Sequence, residues 1–176
     1  FSGGGSLNVS LYNEKFPCAI NGKNLEFDNV KIVCNQLNNQ DPCGYAIRTA
    51  GTVISTNSSF DVTGFECAID SGSLEMKKNS SLTMVSDAEY GIGVFSGAML
   101  LDNSTMDIQV LDTGLYCLSE DITINTSVIQ CSKAWVGMYA DYGNIIINGN
   151  SELNLENRLY GLRIYNGNLT VNGGII

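Results

Sequence analysis

Short runs in which every second residue is apolar alternate with clusters of Gly, Asn and Ser along nearly the whole chain. One run opens on a glycine: Gly91-Ile92-Gly93-Val94-Phe95, Gly114-Leu115-Tyr116-Cys117-Leu118, Gly137-Met138-Tyr139-Ala140-Asp141 and Gly161-Leu162-Arg163-Ile164-Tyr165. The leading glycines are 23, 23 and 24 residues apart. A second alternation follows in each copy (Leu74/Met76, Met99/Leu101, Ile122/Ile124, Ile145/Ile147, Leu169/Val171), then a polar corner (Asn57-Ser58, Asn79-Ser80, Asn103-Ser104, Thr126-Ser127, Asn150-Ser151). A third alternation closes the unit: Phe60/Val62, Leu82/Met84, Met106/Ile108, Ile129/Cys131, Leu153/Leu155. Gly44-Tyr45-Ala46-Ile47 and Cys67-Ala68-Ile69 are weaker copies of the first run. Leu25/Phe27 with Val30/Ile32 reads as another coil, and Leu7/Val9 as the remnant of one more.

Period-2 patterning predicts strands, and no segment holds a 3.6-residue period long enough for a helix. Three strands per roughly 23 residues, closed by Gly, Asn or Ser, lack the two-residue turns that hairpins need. The pattern predicts an all-β solenoid, a single-stranded parallel β-helix of about seven coils with three short strands each. Alternate apolar residues face a shared core, and each strand pairs with its equivalent in the next coil about 4.8 Å away, giving a rod of roughly 34 Å. Residues 1–176 form one such domain, with a polar insertion near residues 35–43.

Composition acquires a cause from this reading. The chain has 176 residues, with 19 Gly, 20 Asn and only 2 Pro. Gly and Asn tolerate the positive φ of sharp corners. Asn at the same corner of successive coils can form amide ladders, and Pro cannot donate to a ladder. Charge and chemistry then narrow the function. A net charge of −9 disfavours nucleic acid. The absence of histidine removes Ser-His-Asp and Cys-His nucleophiles and most imidazole metal sites; no metal or other cofactor is expected. No apolar run spans a membrane. The six cysteines show no zinc spacing and read as small core residues, with Cys34 and Cys43 the one pair to consider for a disulfide. The sequons at Asn8, Asn57, Asn79, Asn103, Asn125 and Asn168 read as by-products of the corner pattern. Beginning at FSGGGS and stopping at VNGGII within the repeat, the chain reads as a piece of a longer polypeptide.

Over residues 18–176 these coils resemble the right-handed parallel β-helix of the pectate-lyase-like solenoids, and more narrowly secreted bacterial modules of carbohydrate-binding type. Handedness follows from that resemblance and from the general crossover preference. The architecture hosts polysaccharide lyases, glycoside hydrolases, adhesins and spacers, so function must come from a site.

In the first run, the positions after the leading glycine alternate in and out. Gly93, Tyr116, Tyr139 and Arg163 are expected to form one outward column, and Phe95, Leu118, Asp141 and Tyr165 a second. The entering loops bring Tyr90, Trp135 and Tyr160 beside them. Aromatic rings beside Asp and Arg suit the apolar faces and hydroxyls of sugars, and the resemblance puts substrate grooves along one sheet. Tyr116, Trp135, Tyr139, Asp141, Arg163 and Tyr165 are therefore the candidate ligand contacts; an aromatic ladder that only stiffens the sheet is the alternative. Related hydrolases use clustered Asp, whereas the outward acids here, Asp141 with Glu66 and Asp70, are expected too many coils apart for a carboxylate pair, and Arg163 beside Asp141 lacks the further acids of a calcium-dependent lyase. The expectation is a non-catalytic extracellular module that presents this face to a glycan or cell-surface protein, with neighbouring domains of its own chain as further partners. A lyase-like enzyme and a structural stalk are the alternatives.

Overall fold

The structure is a computed structural model and describes residues 1–12, 17–37 and 44–175. After β1 (Ser6–Tyr12), the first turn holds β2 (Cys18–Asn21), β3 (Leu25–Asp28) and β4 (Lys31–Leu37). The next two turns hold β5 (Tyr45–Thr56) with β6 (Ser59–Thr63), then β7 (Cys67–Lys77) with β8 (Ser81–Val85). The fourth has β9 (Ile92–Ser96), β10 (Met99–Asp102) and β11 (Thr105–Gln109), and the fifth β12 (Thr113–Cys117), β13 (Ile122–Asn125) and β14 (Val128–Ser132). The sixth has β15 (Val136–Tyr142), β16 (Ile145–Asn148) and β17 (Glu152–Glu156), and β18 (Tyr160–Asn166) and β19 (Leu169–Asn172) begin the seventh.

Among the described residues all the strand pairings are parallel, each strand to its equivalent one turn on, which makes the chain a β-solenoid of about seven turns. The third strands form one sheet, β1-β4-β6-β8-β11-β14-β17; the first and second strands share the other. The three-strand expectation is modified in two turns. In β5 and β7 the first and second strands run on as one strand, and their pairing register shifts between Thr49 and Thr52.

Alternation in the sequence becomes alternation in burial. Leu25 and Phe27 are buried while Glu26 and Asp28 are exposed; Leu82 and Met84 are buried while Val85 is exposed. The core is a stack of like residues, such as Ile47, Ile69, Val94, Leu115 and Met138 on the first strands. Phe27 meets Phe60 edge-on at 5.1 Å near the start of the rod.

Corners follow the expected chemistry. Asn57, Asn79, Asn103 and Thr126 have φ between 47° and 65°. In the turn expected to use Asn150, Gly149 takes the left-handed position instead. Asn57 donates to Asn29 at 3.2 Å and Asn103 to Asn79 at 3.0 Å; a second amide ladder runs from Asn172 to Asn148 to Asn125. Beside the corner, the hydroxyls of Ser58, Ser80, Ser127 and Ser151 accept backbone N–H bonds from the preceding turn and donate to carbonyls of their own. Cys34, Cys67, Cys117 and Cys131 are unpaired and buried, as small core residues would be. Cys43 and most of the expected insertion lie outside the described residues; residues 35–37 belong to β4.

Candidate functional site

The glycine run is the key to the outer face, and its alignment needs a correction. Val94 pairs with Leu115 and Phe95 with Tyr116, so Gly93, not Gly91, is the counterpart of Gly114. Gly93, Gly114 and Gly137 sit where an added Cβ would meet the third strand or the residue just after it. A Cβ on Gly114 would stand 2.3 Å from Cys131 Sγ and 2.5 Å from the Gly137 carbonyl; one on Gly93 would meet Ile108 at 2.6 Å. In earlier turns Ala46 and Ala68 fill the same buried place.

Two residues after that position every turn points its side chain out. The resulting column is Asn21, Arg48, Asp70, Phe95, Tyr116, Tyr139 and Arg163, each paired in register with the next. Phe95 thus joins the column expected to hold Gly93. From Arg48 to Arg163 the column covers five rungs, roughly 24 Å.

Neighbours along it are in contact. The Arg48 guanidinium lies 3.1 Å from Asp70 and 4.4 Å from the centre of the Tyr45 ring. Phe95 meets Tyr116 edge-on at 5.0 Å, and Tyr116 stacks on Tyr139 at 5.0 Å with 26° between planes. Arg163 caps the row, 5.2 Å from the Tyr139 ring centre and 5.5 Å from that of Tyr160. Tyr139 donates its hydroxyl to Asp141 at 3.2 Å. Burial raises the pKa of Tyr116 and of Tyr139, and the adjacent Asp141 raises both further. Asp70 is also raised, because burial outweighs the opposing pull of Arg48. A cavity of about 390 Å³ lies at the early end of the row, between Tyr45, Arg48, Glu66, Asp70, Ile92 and Phe95.

Four of the six expected contacts, Tyr116, Tyr139, Asp141 and Arg163, come together. Trp135 and Tyr165 flank them, and among the described residues no ring contact joins either to the row. Trp135 belongs to a loop stack, its N–H bonded to the Leu111 carbonyl and its own carbonyl to the N–H groups of Leu159 and Tyr160. Because the rings of Tyr116 and Tyr139 cover each other, the open aromatic surface beside the row belongs to Tyr90 (68% exposed), Trp135 (50%), Tyr160 (44%) and Tyr165 (64%). Tyr45, Arg48 and Asp70 are additional members that sequence reasoning left outside the site. Their signal was available: Arg48 and Asp70 stand one residue after Ile47 and Ile69, as Tyr116 does after Leu115.

The face offers hydroxyls, two guanidinium groups and exposed rings. Among the described residues no group of three or more acidic or thiol side chains could hold a metal ion. No protein-family model, curated protein or solved structure matches the chain.

Proposed function

We propose that the chain is a non-catalytic module of a secreted or surface-displayed protein, of the kind found in bacteria, that binds a glycan along its first-strand face. The observation that carries this reading is the unbroken outward row from Arg48 to Arg163, with Trp135, Tyr160 and Tyr165 open beside it. A linear polysaccharide needs a straight platform with apolar surfaces for ring faces and fixed donors for hydroxyls. Stacking of one coil on the next supplies both at fixed spacing, so little ordering cost falls on the protein when ligand binds. Two carboxylates on the face are engaged, Asp70 by Arg48 and Asp141 by Tyr139, while Glu66 shares the early cavity with Asp70. Asp70 and Asp141 lie three rungs apart, roughly 14 Å, wider than the pairs that cleave glycosidic bonds. Burial keeps the Cys34 and Cys131 thiols protonated and so unreactive, since the thiolate is the reactive form.

A glycan array followed by calorimetric titration tests the proposal. Trp135→Ala and Tyr165→Ala, both at exposed positions, should each weaken binding of the selected oligosaccharide at least fivefold while leaving the circular dichroism spectrum unchanged. Absence of any glycan ligand, or affinity indifferent to both substitutions, overturns the proposal. The mutual covering of Tyr116 and Tyr139 favours a second reading, in which the row only stiffens a stalk; a stalk tolerates the loss of Trp135 and Tyr165 without functional consequence.

A further inference from the structure

A trough runs along a different face, over the second strands. A hollow of about 450 Å³ between Asn24, Glu26, Thr52, Ile54 and Glu75 abuts one of about 540 Å³ between Glu75, Leu100, Glu120, Asp121, Thr123 and Tyr142. Glu75 lines both, so they are successive lengths of one trough. Its floor is the outward column of the second strands. Reading along the rod, Glu26, Ile54, Glu75 and Leu100 are paired in register, followed by Thr123 and Ile146.

Two properties of that floor point to one kind of occupant. Acid and aliphatic side chains alternate rung by rung over its first half, so like residues recur at about 9.6 Å, twice the rung spacing. The charge is also one-sided: among the described residues Lys77 is the only basic one in the second strands, and Glu75 already holds it. Glu120 and Asp121 add negative charge on the wall.

We propose that this trough docks an extended polypeptide segment rich in lysine. A lysine lays an apolar stem along a surface and reaches a charge with its head. Here the stem would cover Ile54 or Leu100, and the ammonium would meet Glu26 or Glu120, since Lys77 already occupies Glu75. The half-buried Ile54 and Leu100, otherwise ill placed on a water-facing strand, then have a partner. This surface is separate from the glycan face and does not depend on it.

The test uses a fluorescein-labelled dodecapeptide of alternating Lys and Ser, with anisotropy read at physiological salt. Glu26 and Glu120 are exposed, so the pair Glu26→Lys and Glu120→Lys leaves the core intact and should weaken binding about tenfold. Leu100→Ser should weaken it severalfold, with folding checked by circular dichroism. A control pair of the same charge change on the third-strand sheet, Glu152→Lys and Glu156→Lys, should leave affinity unchanged. Three outcomes overturn the proposal: no binding of the peptide, an equal loss in the control pair, or equal affinity for spermine. The last two would mean attraction to the net charge alone.

Discussion

At Gly114 the demand for glycine is steric rather than conformational. Its φ is unremarkable for an L-residue, yet a Cβ would collide with a sulfur on the third strand and a carbonyl on the next rung. The carbonyl cannot move without disturbing the ladder. Gly114→Ala should therefore destabilise the fold by about 1–3 kcal/mol, the usual cost of overfilling a packed site. Gly5→Ala, where the added carbon meets nothing within 4 Å, should change stability far less. Urea midpoints of the two variants against the parent check this, and equal midpoints would contradict it. The same steric requirement explains a misreading. Gly91 and Gly93 both precede an apolar residue, and a constant 23-residue spacing selects Gly91. The structure selects Gly93 because only there does the strand pass against Ile108. Backbone proximity between strands leaves no mark in the sequence beyond the glycine itself, so two glycines two residues apart are indistinguishable to a periodicity argument.

Strands and corners were far more legible. Every apolar alternation assigned to a second or third strand from residue 74 onward is in register, because a one-residue slip would expose the whole apolar set. What pattern alone left out was the role of the corner serines. Asn was expected to form the ladder, and it does so on the outside, whereas Ser works beneath it where water is excluded. Ser127 is buried, accepts the Ser104 N–H at 3.0 Å and donates to the Asn125 carbonyl at 2.8 Å. Ser127→Ala leaves that N–H without a partner in the interior and should cost about 1–3 kcal/mol. Asn103→Ala removes an exposed amide that water can replace, and its cost should be smaller, dominated by the positive φ of 48°. Thermal unfolding of both variants ranks the two ladders. A larger loss at Asn103 would show that the outer amides, not the inner hydroxyls, hold the corners.

Over the whole rod, charge and buried thiols act in the same direction. The chain already carries −9, and alkali adds to it. Burial raises the Cys34 thiol to about 11 and the Cys131 thiol to about 12, from an ordinary value of 9.0, and it raises Cys67 and Cys117 as well. In the unfolded chain these thiols lose their protons near pH 9, while in the folded rod they keep them. Between those limits the unfolded state binds fewer protons, so stability must fall as pH rises, by about 1.4 kcal/mol per pH unit for each such thiol. Below pH 9 both states are protonated and this contribution is level. Urea midpoints taken from pH 8 to pH 10.5 should therefore hold steady and then drop. The double substitution Cys34→Ala and Cys131→Ala lowers stability throughout, because each removes core volume, but it should also make the alkaline slope shallower. The slope, not the midpoint, separates titration from packing: if the double variant falls with pH as steeply as the parent, the thiols are not its cause. Added salt supplies the complementary measurement. Screening weakens repulsion between exposed charges spread over the rod but reaches the buried thiols poorly. Raising ionic strength at pH 10 should thus recover only the part of the loss that arises from surface charge, and the remainder belongs to the buried groups, with Cys34 and Cys131 accounting for the share that the double variant removes.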